Sequence, residues 1–279
     1  MRFFFKTAVI GALTLASAAP AALANTTASS NWAGYAVHRS GVKYREVTAI
    51  WRQPAARCAA GLPGYSAMWI GLGGYSESSD ALEQIGTEVD CSFSGRIKSS
   101  AWYELVPAAS RPIKLTVRPG DLIAASVKVN GHKVQVSLDD TTRHRSFAKT
   151  LHASSVDVSS ADWILEAPSD CISATICQTL PLADFGSASF GRSAAVSSTG
   201  HKGSISDRAW GATKINLSPG GRRFVANGAA SLLGGATTSA LTPGGTSFTV
   251  SYSTVPVPGS PVMARRASLQ AGYLVHPGR

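Results

Sequence analysis

Three short stretches of the chain place a polar group capable of proton transfer among apolar neighbours. Residues 82–90 read LEQIGTEVD and carry Gln84 and Glu88, residues 101–107 read AWYELVP and carry Glu104, and residues 161–169 read ADWILEAPS and carry Glu166. A glutamate has an ordinary pKa of about 4.3, so it can act as a general base toward water in acidic to mildly acidic solution. A carboxamide offers both a donor and an acceptor, and keeps both at every pH. Gln84 with Glu166 could therefore activate and orient a water. Two carboxylates such as Glu104 and Glu166 could alternatively serve a glycosidase as acid and as nucleophile or base.

The elements that must position these groups are strands. In an extended chain side chains alternate between faces, so Gln84, Gly86 and Glu88 project together, with Leu82 beside them. By the same rule Asp162, Ile164 and Glu166 share a face opposite Trp163 and Leu165, and Trp102 shares one with Glu104. Gly86 leaves room next to the Gln84 amide, as a cleft that admits a peptide backbone requires. An amide and two or three carboxylates can thus line one concave sheet.

From Asn31 onward the chain consists of short runs rich in Val, Ile, Thr, Trp, Tyr and Ser, divided by Gly, Pro, Asn or Asp. Residues 47–51 (VTAIW), 66–72 (SAMWIGL), 113–117 (IKLTV), 122–129 (LIAASVKV) and 133–138 (KVQVSL) all read as strands. In the last, Val134, Val136 and Leu138 alternate with Lys133, Gln135 and Ser137. Asn130-Gly131 is a hairpin signal, and Pro119-Gly120-Asp121, Pro219-Gly220-Gly221, Asn227-Gly228 and Pro243-Gly244-Gly245 mark further breaks. The pattern predicts an antiparallel β-sandwich with one or two short helical turns.

The chain opens MRFFFK, continues through an apolar run broken by Pro20, and reaches Ala22-Leu23-Ala24. That is the plan of a secretory signal peptide cleaved after Ala24, and its apolar part falls short of the roughly 20 residues of a membrane span. The expected organisation is a signal peptide at 1–24, one β-sandwich domain at 25–252 and a C-terminal extension at 253–279, where VPVPGSPV and ARRASLQ change the composition. The expected product is a secreted, extracellular monomer with no membrane association after signal removal.

The formal net charge is +10, and loss of Arg2 and Lys6 with the signal peptide lowers it by two. No basic run alternates with aromatics, so the charge reads as a basic surface and not as a nucleic-acid site. Cys58, Cys91, Cys171 and Cys177 in an exported chain read as disulfides, and proximity favours Cys171 with Cys177, hence Cys58 with Cys91. Neither CxxC nor HExxH occurs, so no metal or cofactor is expected. No GxSxG elbow is present. The six histidines, His38, His132, His144, His152, His201 and His276, lie mostly in polar, turn-like contexts.

Taken in order, SNWAGY (30–35), WIGLGG (69–74), LEQIG (82–86), AWYELVP (101–107), PGD (119–121) and ADWILEAP (161–168) resemble the glutamic peptidases, also called eqolisins or the G1 family. The resemblance spans about 30–252. It implies a secreted endopeptidase built on two bent antiparallel sheets of the concanavalin A-like lectin and glucanase type, acting on protein or peptide substrates at acidic to mildly acidic pH.

By motif, the catalytic pair falls on Gln84 and Glu166. Glu104 and Glu88 are supporting carboxyls, and Trp32, Trp69 and Trp102 are substrate-binding aromatics around the cleft. The family also places a small disulfide loop where Cys171 stands. Two departures matter. Gly73 replaces the Asp of the fungal WVGIDG-like motif, which predicts an optimum less acidic than the fungal one unless Glu83 and Glu88 compensate. Only Asn25 to Ser29 separate the expected cleavage site from SNWAGY, which leaves no room for an N-terminal propeptide; export without one is favoured over the C-terminal extension doing that work, and a bacterial-type member is implied. A secreted glycoside hydrolase and a lectin-like binding module are the alternatives.

Overall fold

The computed structural model describes residues 24–76, 78–173, 176–218, 220–221 and 234–254, and the side chains of all of these but 171–177. The expected signal peptide and C-terminal extension lie almost wholly outside these residues. The strands are β1 (Asn25–Ser29), β2 (Trp32–His38), β3 (Tyr44–Arg52), β4 (Gly64–Gly73), β5 (Leu82–Cys91) and β6 (Ile97–Val106). They continue as β7 (Arg111–Ile113), β8 (Leu122–Asn130), β9 (Lys133–Asp140), β10 (Arg145–His152), β11 (Ser160–Glu166) and β12 (Ser169–Ser173). The remainder are β13 (Ile176–Thr179), β14 (Ser187–Ser197), β15 (Lys202–Ser204), β16 (Gly211–Leu217), β17 (Gly235–Thr238) and β18 (Phe248–Ser253).

One hydrogen-bonded path runs β10-β9-β8-β3-β14-β18-β17-β16-β2-β11-β4-β5-β6-β7. It folds back on itself at the β16–β17 junction, where the register is the single pair Leu217↔Ala236. The result is a sandwich. A front sheet, β7-β6-β5-β4-β11-β2-β16, lies against a back sheet made of the other half of the path. The main core fills the space between them, with Tyr35, Ile70, Ile85, Trp163 and Leu165 from the front sheet packed against Val47, Trp51, Val127 and Phe190 from the back. Among the side-chain bonds that tie the layers are Trp163 Nε1 to the Thr48 carbonyl (2.9 Å), Trp51 Nε1 to Thr87 Oγ1 (3.0 Å) and Gln53 Nε2 to the Glu88 carbonyl (2.9 Å). They hold the β11 and β5 backbones, which carry Glu166 and Gln84, against the back sheet.

Most expected strands form as read. In β9 burial alternates with Val134, Val136 and Leu138 inward, and the hairpin from β8 closes at Asn130↔Lys133. Its two-residue loop is therefore Gly131-His132, with Gly131 at φ 58°, the left-handed conformation that a primed hairpin turn requires at its first central residue. Two expectations need correction. Residues 113–117 are not a strand: only Ile113 belongs to β7, and although Ile113, Leu115 and Val117 are buried alternately, the ladder stops. Apolar alternation here reports burial beneath β6 without pairing. Among the described residues no helical turn forms either. One pairing departs from the antiparallel scheme, β1 running parallel to β16 from Asn25↔Thr213 to Ser29↔Leu217.

The Cys58–Cys91 disulfide is present. It ties the end of β5 to the β3–β4 connection. The β12–β13 ladder sets Cys171 directly opposite Cys177, while their side chains fall outside the described ones. Arg143, on the surface, donates from Nε to the buried Asp121 of the PGD turn at 2.9 Å.

Candidate active site

The outer face of the front sheet carries a second apolar cluster of Trp32, Ala36, Ala67, Trp69, Leu82, Trp102, Ile164 and Ile215. Alternation requires this membership. Each of these residues is an even number of positions from a candidate polar group on its own strand, or lies on a neighbouring strand at matching register. Gly86 sits between Trp69 on β4 and Trp102 on β6. The space at Gly86 is not an open cleft, contrary to the sequence expectation. A Cβ there would stand 2.6 Å from Cβ of Trp69 and 2.3 Å from the Met68 carbonyl oxygen, so the absent side chain makes room for a tryptophan.

Glu166 ends β11 with both carboxylate oxygens held. Trp69 Nε1 donates to Oε2 at 2.8 Å, and Asn31 Nδ2 donates to Oε1 at 3.3 Å. Trp69 is itself fixed by Trp32, whose ring meets it edge-on at 5.0 Å and 77°, a contact worth about 0.5–1.5 kcal/mol beyond the area it buries. Trp32 and Trp69 are 1% and 0% exposed, so they support the carboxylate from beneath, while Trp102 keeps 7%. Burial pushes Glu166 up to about 7; the Trp69 bond opposes this, the charge of Glu104 adds to it, and Trp32 and Asn31 oppose it.

Gln84 faces Glu104 directly across the β5–β6 ladder and donates from Nε2 to Glu104 Oε2 at 2.6 Å. Its other amide atom, Oε1, is buried with no hydrogen-bond partner. Such an acceptor is unfavourable to leave empty by about 1–3 kcal/mol, so it is disposed to take a water or a substrate N–H. Burial raises Glu104 to about 7, opposed by the Gln84 bond and reinforced by Glu88. In the ladder Gln84 is level with Gly71 and Asp162, and Glu166 with Ala67 and Glu88. The link between Gln84 and Glu166 is Glu104, which accepts the amide hydrogen bond and whose charge acts on Glu166.

Glu88 takes its expected face, four residues along β5 from Gln84, and accepts from Ser100 Oγ at 2.9 Å. Burial raises its pKa. Asp90, next along the same face, is pushed up to about 7 by burial and by Glu88. Glu83 cannot serve the cleft. It points the other way, into the core, where it is 0% exposed. Nor is Gly73 simply a missing acid. With φ at 84°, it is packed so closely by Asp157 that a Cβ would fall 2.5 Å from Cβ of that aspartate. The Asp157 carboxylate accepts from Gly74 N–H (3.1 Å) and from Ser79 Oγ, so an acid from the segment before β11 braces this corner.

The reading of the sequence passed over Asn31, Ser29 and Asp157. The SNW run carried the signal for the first, a polar residue caught between a strand end and a buried tryptophan. No spacing rule could reveal a partner 135 residues away. Among the described residues no group of three or more His, Cys, Asp or Glu side chains could hold a metal ion.

The sequence pattern of the peptidase A4 family matches residues 30–252. The chain belongs to this family, the glutamic peptidases. Solved structures agree on the fold of this peptidase. It is similar to scytalido-glutamic peptidase bound to a peptide-based transition state analog, at 23% identity and TM-score 0.63 over 80% of this chain and 98% of that one. It is also similar to SCP-B, an eqolisin in complex with the tripeptide Ala-Ile-His, at 22% identity and TM-score 0.61 over 80% and 98%. Aspergilloglutamic peptidase from Aspergillus niger matches at 24% identity and TM-score 0.53, over 68% of this chain and 99% of that one. No curated protein sequence matches the chain.

Proposed function

We propose that this glutamic peptidase is a secreted endopeptidase in which Gln84 and Glu166 form the catalytic pair. The observation that carries the reading is the unpartnered Gln84 Oε1 on the same outer face as a carboxylate held by two donors. Glu166, ionised, takes a proton from a water poised against the scissile carbonyl and later delivers it to the departing amine. Gln84 accepts a hydrogen bond from that water at Oε1. The N–H that Glu104 leaves free is donated to the developing oxyanion, a contribution of the kind worth about 3–4 kcal/mol. Glu104 orients the amide, so that the acceptor end and not the donor end meets the water. Glu88 acts at longer range through Glu104, and Trp102 offers the apolar wall for a substrate side chain.

A base raised to about 7 by burial is mostly protonated in strongly acidic solution. The ionised fraction needed for kcat/KM grows as pH rises toward that value, so activity climbs from strongly acidic through mildly acidic solution. A bacterial-type, exported enzyme accords with the amino-terminal leader pattern and with the disulfide between Cys58 and Cys91. Digestion of denatured casein across pH 3 to 8, with pepstatin and with a chelator, tests the reading. It predicts proteolysis resistant to both agents and rising from strongly acidic through mildly acidic solution. An activity abolished by pepstatin, or confined to strongly acidic pH, would contradict it.

A further inference from the structure

The connection between β1 and β2 contains a hydrogen-bond arrangement whose polarity can be worked out atom by atom. Ser29 Oγ accepts from two backbone amides, Trp32 N–H at 2.9 Å and Asn31 N–H at 3.2 Å. Those two bonds occupy both lone pairs of the hydroxyl oxygen. Its single proton is then directed to Asn31 Oδ1 at 3.0 Å. Ser29 and Asn31 are 0% and 1% exposed, so bulk water does not compete for these atoms. With Oδ1 fixed toward Ser29, Nδ2 is the end that reaches Glu166 Oε1 at 3.3 Å. The inverted amide would set its N–H groups against a hydroxyl whose acceptor sites are full, and its carbonyl oxygen against a carboxylate oxygen. Both contacts are repulsive in a buried setting.

The backbone around this arrangement is equally determined. Ala167 N–H, the residue after Glu166, donates to the Asn31 carbonyl at 2.8 Å, and Ser218 N–H donates to the Ser29 carbonyl at 2.7 Å. Gly221 lies so close that a Cβ on it would stand 2.6 Å from the Ser29 backbone. Ser29 is the last residue of β1, whose parallel pairing with β16 sets its height. The geometry points to Ser29 and Asn31 as positioning residues: the Ser29 hydroxyl fixes the Asn31 amide so that it donates to Glu166 and holds that carboxylate aligned and ionised. The proposal rests on Glu166 being the base.

Removing a donor from a carboxylate disfavours its charged form and raises its pKa. Glu104 from β6 is the charged group that acts on Glu166. From β4 and β2 the facing groups are the Trp69 and Trp32 indoles, Glu88 on β5 acts on Asp90 and Glu104, and Asp162 on β11 is acted on by Asp157. Of these only Trp32 touches position 29, through its backbone N–H, and the Asn31 variants leave that contact in place.

The test is the pH dependence of kcat/KM on a quenched peptide for wild type, Ser29→Ala, Asn31→Ala, Asn31→Asp and the Ser29→Ala/Asn31→Ala double variant, with thermal unfolding as a folding check and Glu166→Gln as control. The acidic limb should move upward by about half to one pH unit in Ser29→Ala and Asn31→Ala, with KM within about twofold, as expected for a change that spares substrate contacts. It should move further in Asn31→Asp, where a negative charge replaces the donor. The double variant should move little more than Asn31→Ala, because the amide is the direct route from the hydroxyl to Glu166 and the Trp32 backbone N–H is a secondary one. If Ser29→Ala fails to fold, the two Asn31 variants carry the test. An unmoved acidic limb in folded Asn31→Ala and Asn31→Asp overturns the proposal, as do additive shifts in the double variant. An active Glu166→Gln enzyme would instead refute the choice of base, which is a separate result.

Discussion

Gln84 and Glu104 face one another across β5 and β6 and share a 2.6 Å hydrogen bond from amide to carboxyl. The bond settles which end of the amide is spoken for and leaves Oε1 as a buried acceptor without a partner. Glu104 is thereby an orienting group whose loss should be felt in turnover. Glu104→Ala should lower kcat by about 10²-fold, comparable to the loss of a single oxyanion donor, with KM little changed. A steady-state comparison at the wild-type optimum checks this, and a KM effect without a kcat effect would assign Glu104 to substrate binding instead.

Gly86 lies under Trp69, and Trp69 holds Glu166. Gly86→Ala should push the indole away from the carboxylate, lowering stability by about 1–3 kcal/mol as overpacking does and activity along with it. Urea denaturation and kcat/KM on the same preparation check the two effects. Full activity with unchanged stability would mean that the tryptophan has slack the packing does not show.

Much of this face could be read from the residues themselves. Period-two alternation put Gln84, Gly86 and Glu88 together, Trp102 with Glu104, and Ile164 with Glu166, because a strand leaves a side chain only two directions. The order of strands was not legible, since pairing is decided by packing across two layers and not by neighbours in the chain. For that reason Asn31 was missed as a partner of Glu166, and Asp157 was not seen to stand against Gly73. Residues 113–117 show the converse: their alternation marks burial, although the pairing with β6 ends at Ile113.

Glu83 provides a pH test of stability. Burial, reinforced by the neighbouring Asp157 charge and opposed by the Asp157 backbone amide, pushes this core carboxyl up to about 8, against about 4.3 in an unfolded chain. The folded state therefore binds the proton more tightly than the unfolded state. The contribution is fully present below about pH 4.3 and is lost as pH rises through about 8. Asp90, Glu104 and Glu166, each raised to about 7, act in the same sense. Glu83→Gln should leave the urea midpoint near pH 4 almost unchanged and raise it near pH 8. Parallel pH curves for variant and wild type would contradict this account of Glu83.

The Cys58–Cys91 bridge closes a separation of 33 residues and anchors the end of β5. Cys58→Ser/Cys91→Ser should reduce unfolding free energy by about 3–4 kcal/mol on the chain-entropy estimate. Guanidinium titrations of oxidised wild type and the double variant measure it. A difference below about 1 kcal/mol would show that native contacts already restrict this loop in the unfolded chain.

The claim that the chemistry resides in Gln84 and Glu166 is tested most directly by kcat/KM of Glu166→Gln on a quenched peptide, with near-ultraviolet circular dichroism to verify that the tryptophan cluster is intact. The substitution keeps the shape and removes the base. The predicted result is a folded protein whose activity falls by at least about 10³-fold, in the range expected from loss of a general base. A folded variant that retains more than a tenth of wild-type turnover would contradict the assignment.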